Sequence, residues 1–219
     1  IGVVGPVRTG KSTFIKRFMD VAVLPYMEDA AQKTRAQDEL PQSAGGRTIT
    51  TTEPKFIPQE AVELKLAGEV TIRVRLVDCV GFMVEGAAGH LEDGAERLVK
   101  TPWYDHEIPF TQAAELGTRK VITDHSTIGV VVTTDGSFSD LPQETYLDAE
   151  NQAISELKKL HKPFLVLVNS SHPSSRTARE AAERIEKQHS VAAMPVNCAQ
   201  LSEEDIRQIM EQILYEFPV

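Results

Sequence analysis

The octapeptide Gly5-Pro6-Val7-Arg8-Thr9-Gly10-Lys11-Ser12 constrains this chain more than any other feature, because it fits G-x-x-x-x-G-K-[ST]. It follows a strand-like apolar run, Ile1 to Val4, and precedes a segment with Phe14, Phe18 and Val21 at helical spacing. Strand, glycine-bearing turn and helix in that order make a phosphate loop. The glycines let the backbone curl until successive N–H groups face phosphate oxygens, Lys11 sets a charge beside the β and γ phosphates, and Ser12 offers a hydroxyl to Mg2+. Gly5, Arg8, Thr9, Gly10, Lys11, Ser12 and Thr13 are the candidate nucleotide contacts of this segment.

The remaining pattern agrees with such an opening. Runs over about 55 to 66 and 70 to 77 alternate apolar with polar residues, as a half-exposed strand pair does. Ile128 to Val132, Phe164 to Val168 and Ala192 to Val196 are short continuous apolar runs of the kind a parallel sheet buries on both faces. Helices are predicted over about Pro142 to Leu160, with Leu147, Ile154, Leu157 and Leu160 in register, and over about Ser175 to Gln188. A last helix opens on a capping box, Ser202 with Asp205, and carries Ile206, Ile209, Met210, Ile213 and Leu214 as one stripe. The fold class is therefore α/β, a mostly parallel sheet with helices on both faces, in one domain over residues 1–219. Both ends read as cut, so an N-terminal fragment of a longer chain is expected. Residues 25–52 read as a polar stretch, and 81–126 as a long connection without strand signal.

Two further segments complete a nucleotide site. Val74 to Val77 ends in Asp78, the carboxylate a phosphate loop needs on its metal side, and Asp78-Cys79-Val80-Gly81 matches D-x-x-G, whose glycine N–H reaches the γ-phosphate. Gly45-Gly46-Arg47-Thr48-Ile49-Thr50-Thr51-Thr52 precedes a strand, and Thr51 and Thr52 are the favoured ligands of Mg2+ and sensors of the γ-phosphate. The formal net charge of -9 comes without runs of like sign, which argues against a nucleic-acid surface. No apolar stretch reaches the length of a membrane span. Two cysteines, Cys79 and Cys198, read as small buried side chains in a reducing, cytoplasmic compartment.

The order of phosphate loop, threonine loop and D-x-x-G resembles the translation-factor and Ras-like class of P-loop nucleoside triphosphatases. Longer strings are more specific: residues 5–14, Arg35-Ala36-Gln37-Asp38-Glu39-Leu40-Pro41-Gln42-Ser43, Leu76 to Gly81 and Thr101-Pro102-Trp103-Tyr104 resemble the stage IV sporulation protein A family, and the likeness runs to Val219. That resemblance implies an ATPase of GTPase ancestry whose Mg-ATP hydrolysis drives assembly into a static polymer at the base of the bacterial spore coat. It implies a mother-cell location peripheral to the outer forespore membrane. The implied partners are further copies of itself, a small amphipathic membrane-bound spore protein and coat proteins. It also implies Lys11 as the phosphate lysine, Asp78 as the metal-side acid, and Thr51 and Thr52 as sensor threonines.

The residues favour ATP over GTP. Ras-like proteins read guanine with N-K-x-D, whose Asp accepts two base protons; here the fifth strand leads into Asn169-Ser170-Ser171-His172, which keeps the Asn and lacks the Lys and Asp. Guanine preference thus loses its chemical basis unless an acid from elsewhere substitutes. Asn197-Cys198-Ala199-Gln200 stands where a second base-contacting loop would. Phe82 follows D-x-x-G where Ras-like enzymes carry a water-orienting glutamine, so the attacking water must be placed by other groups. Arg8, at the fourth position of the loop, is read as a built-in cation over the phosphates that replaces potassium, with Arg47 a second candidate. A GTPase switch and a nucleotide-stabilised scaffold with negligible hydrolysis are the competing readings.

Overall fold

The computed structural model describes residues 1–41, 52–65, 71–87, 91–92 and 94–217. Strands β1 (Gly2–Val4), β2 (Lys55–Lys65), β3 (Thr71–Asp78), β8 (Gly129–Thr134), β9 (Phe164–Asn169) and β10 (Ala193–Val196) form one sheet in the order β10-β9-β8-β1-β3-β2. Every pairing is parallel except β2 with β3. The antiparallel pair is the half-exposed alternating one, and β1, β8 and β9 are buried throughout.

Side chains alternate across this sheet and sort into two apolar layers. Val3, Leu76, Val130, Val132, Leu165 and Leu167 pack with Phe14, Ile15 and Phe18 of α1 (Lys11–Phe18) and with Ile206, Ile209 and Ile213 of α6 (Glu203–Tyr215). Their neighbours Val4, Val77, Val131, Val166 and Val168 pack with Ala153, Ile154 and Leu157 of α4 (Leu147–Lys159) and with Ala181, Ala182 and Ile185 of α5 (Arg176–His189). The sheet is thus covered on both faces, as an α/β architecture requires. Within the predicted stripes, Leu160 and Leu214 prove exposed, and small residues such as Ala149 and Ala153 take the contact instead.

Two stretches fold further than the sequence pattern foretells. Part of the polar stretch from Pro25 is a helix, α2 (Ala30–Asp38), started by Asp29, whose Oδ1 accepts the N–H groups of Ala31 and Gln32 at 2.8 and 3.0 Å. The 81–126 connection holds two antiparallel ribbons, β4 (Leu91–Glu92) with β5 (Ala95–Glu96) and β6 (Leu98–Thr101) with β7 (Tyr104–Pro109). It also holds a helix, α3 (Phe110–Lys120). Pro102 and Trp103 make the turn of the second ribbon, with Thr101 paired to Tyr104. The buried side of α3 is Phe110, Ala113, Ala114, Gly117 and Thr118, a helical spacing in which every residue after Phe110 is too small to register as an apolar stripe. Cys79 and Cys198 are both buried free thiols, as expected; burial pushes them up to about 11 and about 12.

Candidate functional site

The 5–12 loop leaves the carboxyl end of β1 and enters α1, flanked by the ends of β3 and β8, which places it where ligands bind on parallel sheets. Its shape is fixed from within. Thr9, fully buried, shares its one Oγ1 proton between the carbonyls of Val132 and Pro6, at 2.6 and 3.0 Å. Gly5 and Gly10 take φ of 130 and 100°. Arg8 stands at the exposed tip of the turn with φ of 60°, and Thr13 lies half-buried in the first turn of α1.

Lys11 is buried, and its Nζ donates to the Pro6 carbonyl at 2.5 Å, which curls the ammonium back over the loop. Ser12 donates from Oγ to Oδ2 of Asp78 at 2.7 Å, while Oδ1 of Asp78 accepts the Cys79 N–H at 2.9 Å. Burial holds Lys11 below its ordinary range, with Cys79 and Asp78 opposing, and holds Asp78 above its own, with Ser12 and Lys11 opposing. A polyanion beside the lysine and a divalent cation beside the carboxylate would offset both costs. The donor set fits such a pair: a hydroxyl, a carboxylate and an ammonium side by side. Among the described residues no three His, Cys, Asp or Glu side chains form a metal cluster, so a cation here would be held by Ser12 and Asp78 together with phosphate oxygens.

Gly81 stands over the lysine. A Cβ there would sit 2.6 Å from Lys11 Nζ and overlap the Gly5 carbonyl, and φ is 102°, so only glycine allows this approach. Phe82 is tied to the loop by two backbone bonds, its N–H to the Gly5 carbonyl at 3.0 Å and its carbonyl from the Val7 N–H at 2.9 Å. Its ring is buried against the apolar layer, so this position supplies no side chain to a water.

On the other flank, Asn169 is buried and bridges two loops, donating from Nδ2 to the Thr9 carbonyl at 2.9 Å and accepting the Cys198 N–H on Oδ1 at 3.0 Å. It thereby braces the 5–12 loop against the segment after β10. Beyond it a serine network orders the segment after β9: Ser137 Oγ accepts the Ser171 N–H at 2.8 Å, and Ser170 Oγ accepts the His172 N–H at 3.0 Å. His172 lines a cavity of about 400 Å³ with Asp135, Ser137 and Gln143. Asp135 is the acid that sequence reasoning missed; it lies 37 residues before His172 and only the neighbouring of β8 and β9 brings them together.

The structure therefore gathers Gly5, Thr9, Gly10, Lys11, Ser12, Asp78, Gly81 and Asn169 around one end of the sheet. Thr52 is buried, with its carbonyl against Gly117 of α3. Thr51 and Arg47 lie outside the described residues.

Comparison with known proteins agrees with this geometry. Residues 1–218 match the family model described as stage IV sporulation protein A, ATPase domain. Proteins named stage IV sporulation protein A are similar over the whole chain: 50% identity in Clostridioides difficile strain 630 across 219 residues, and 47% in Bacillus subtilis strain 168 across 219. The Bacillus anthracis protein is 46% identical across 218 residues. The chain covers 45, 44 and 44% of these relatives, less than half of their length.

Proposed function

The chain belongs to the stage IV sporulation protein A family and spans its ATPase domain, and from that premise we propose that it binds Mg-ATP on residues 5–12 and hydrolyses it to drive assembly of a static polymer at the base of the spore coat. The observation that carries the nucleotide half of this reading is the convergence of Lys11, Ser12 and Asp78, with Ser12 already bonded to the carboxylate at 2.7 Å. Lys11 would hold the β and γ phosphates, and Ser12, Thr51 or Thr52, and Asp78 would hold the metal. Bound Mg2+ would neutralise charge building on the leaving phosphate. Gly81 offers its N–H to the γ-phosphate, and Arg8 supplies a cation at the mouth of the loop. With Phe82 buried, the attacking water is oriented by the threonine loop or by a neighbouring copy. The polymer, the small amphipathic membrane-bound partner, the coat proteins and the mother-cell position at the forespore surface come to this chain from its family likeness. Among the described residues no helix is long and apolar enough to cross a membrane.

A GTPase switch is the second reading, and Asp135 favours it, since a carboxylate on the His172 cavity is a chemical substitute for the missing guanine reader. Equilibrium competition between ATP and GTP with Mg2+, for the chain and for Lys11→Ala, separates the two. ATP preference that weakens with Lys11→Ala is expected. GTP preference would replace the ATPase reading with the switch.

A further inference from the structure

Helix α3 touches both segments that the proposed site assigns to the third phosphate. Thr118 is fully buried; its Oγ1 accepts the Gly81 N–H at 3.1 Å and donates to the Ala114 carbonyl at 2.8 Å. One residue earlier, Gly117 lies so close to the Thr52 carbonyl that a Cβ would overlap it, and that Cβ would sit 3.4 Å from the Trp103 ring. Two consecutive residues of one helix thus meet the end of the threonine loop, the D-x-x-G glycine and the chain's single tryptophan.

We propose that Thr118 is a latch on the Gly81 N–H: it holds that proton when no γ-phosphate competes for it, and a nucleoside triphosphate draws it away. The inference rests on the nucleotide site proposed above. An amide carries one proton and forms one strong hydrogen bond. A charged phosphate oxygen is about twice as strong an acceptor as a neutral hydroxyl, so the triphosphate wins, whereas a diphosphate offers no oxygen at that place and leaves the latch closed. When Gly81 lets go, Thr118 keeps its bond to the Ala114 carbonyl and its contact with the Cys79 thiol, and α3 loses its tie to the backbone of the D-x-x-G segment. The contact of Gly117 with Thr52 and Trp103 then carries the change to Thr52 and to the β6-β7 ribbon. Thr118 is a positioning residue, and the two nucleotides act differently on it because they differ in affinity for the two states.

The test compares Mg2+ with a non-hydrolysable ATP analogue and Mg2+ with ADP on this chain. In Thr118→Val the Gly81 N–H loses its hydroxyl acceptor in the closed state and keeps only the weaker Cys79 sulfur, so affinity for the triphosphate rises roughly tenfold while affinity for ADP stays unchanged. Thr118→Ser, which keeps the hydroxyl, returns the ratio of affinities to that of the unmodified chain. Trp103 emission of the unmodified chain, which depends on no variant folding, is expected to differ between saturating triphosphate and saturating ADP. An unchanged affinity ratio in Thr118→Val, or identical Trp103 emission with both nucleotides, overturns the latch and leaves the nucleotide site standing. Failure of the unmodified chain to bind either nucleotide overturns the site and the latch together.

Discussion

Asp78 illustrates how a site residue works against the fold that holds it. Burial raises its carboxyl above the ordinary range, so the folded chain holds that proton more tightly than the unfolded one. Such a group costs stability as pH rises past the unfolded value, and the cost is fully present above the folded one. Asp78→Asn keeps an oxygen for the Cys79 N–H and removes the buried charge. Without nucleotide or metal it is therefore expected to melt a few degrees higher than the native chain at neutral pH, with the gap closing as pH falls toward the ordinary carboxylate range. Thermal melts across pH check this; a lower melting temperature at neutral pH would contradict it. Lys11, Ser12 and Asp78 were legible in the sequence because their chemistry fixes both type and spacing. Thr118 was not, since its partner is a backbone N–H 37 residues away and a backbone group leaves no trace in the side-chain text. Asn169 was legible as a position but not as a brace, because its two partners come from other loops.

Elements were readable where large apolar residues mark the period and a cap marks the start. Helix α6 has both: Ser202 Oγ accepts the Asp205 N–H at 3.2 Å, and Asp205 Oδ2 accepts the Ser202 N–H at 2.8 Å, which holds the Asp205 carboxyl below its usual range. Ser202→Ala removes the cap and should cost about 1 kcal/mol, read as a lower urea midpoint with unchanged slope. That helix faces Arg17 as well, whose Nε donates to the Leu201 carbonyl at 2.6 Å, so its start is anchored to α1. Helices α2 and α3 escaped notice because their inward positions are mostly alanine, glycine or threonine, which bury little area each. The β6-β7 ribbon escaped because its strands are mostly exposed, so alternation conveys no buried face, and its turn is carried by Pro102 and Trp103 rather than by glycine.

For the whole molecule, the parallel arrangement of β1, β8, β9 and β10 followed from apolar runs too short for helices, while the order of the strands was not legible, because it is set by the crossovers and no run of residues marks it. Loops at the carboxyl ends of β1, β3, β8 and β9 then share one rim, and a ligand bridging them stabilises the entire sheet. Mg-ATP at about one hundred times its dissociation constant should add ~2.7 kcal/mol, a rise of about 5 to 10 °C in melting temperature for a chain of this size. Lys11→Ala should lose most of that rise at the same concentration, as differential scanning fluorimetry will show. The two backbone bonds that zip Phe82 to the 5–12 loop bear on what such a ligand can change. In a loop that freezes only when its ligand arrives, each residue ordered costs about 1–2 kcal/mol of conformational entropy. Residues 78–82 are fastened at Asp78 and again at Phe82 by bonds within the chain itself, so their order does not depend on a ligand contact. A γ-phosphate that takes the Gly81 N–H from Thr118 would therefore meet a segment with little disorder left to lose, so the proposed exchange of partners is felt by α3 rather than spent on ordering residues 78–82.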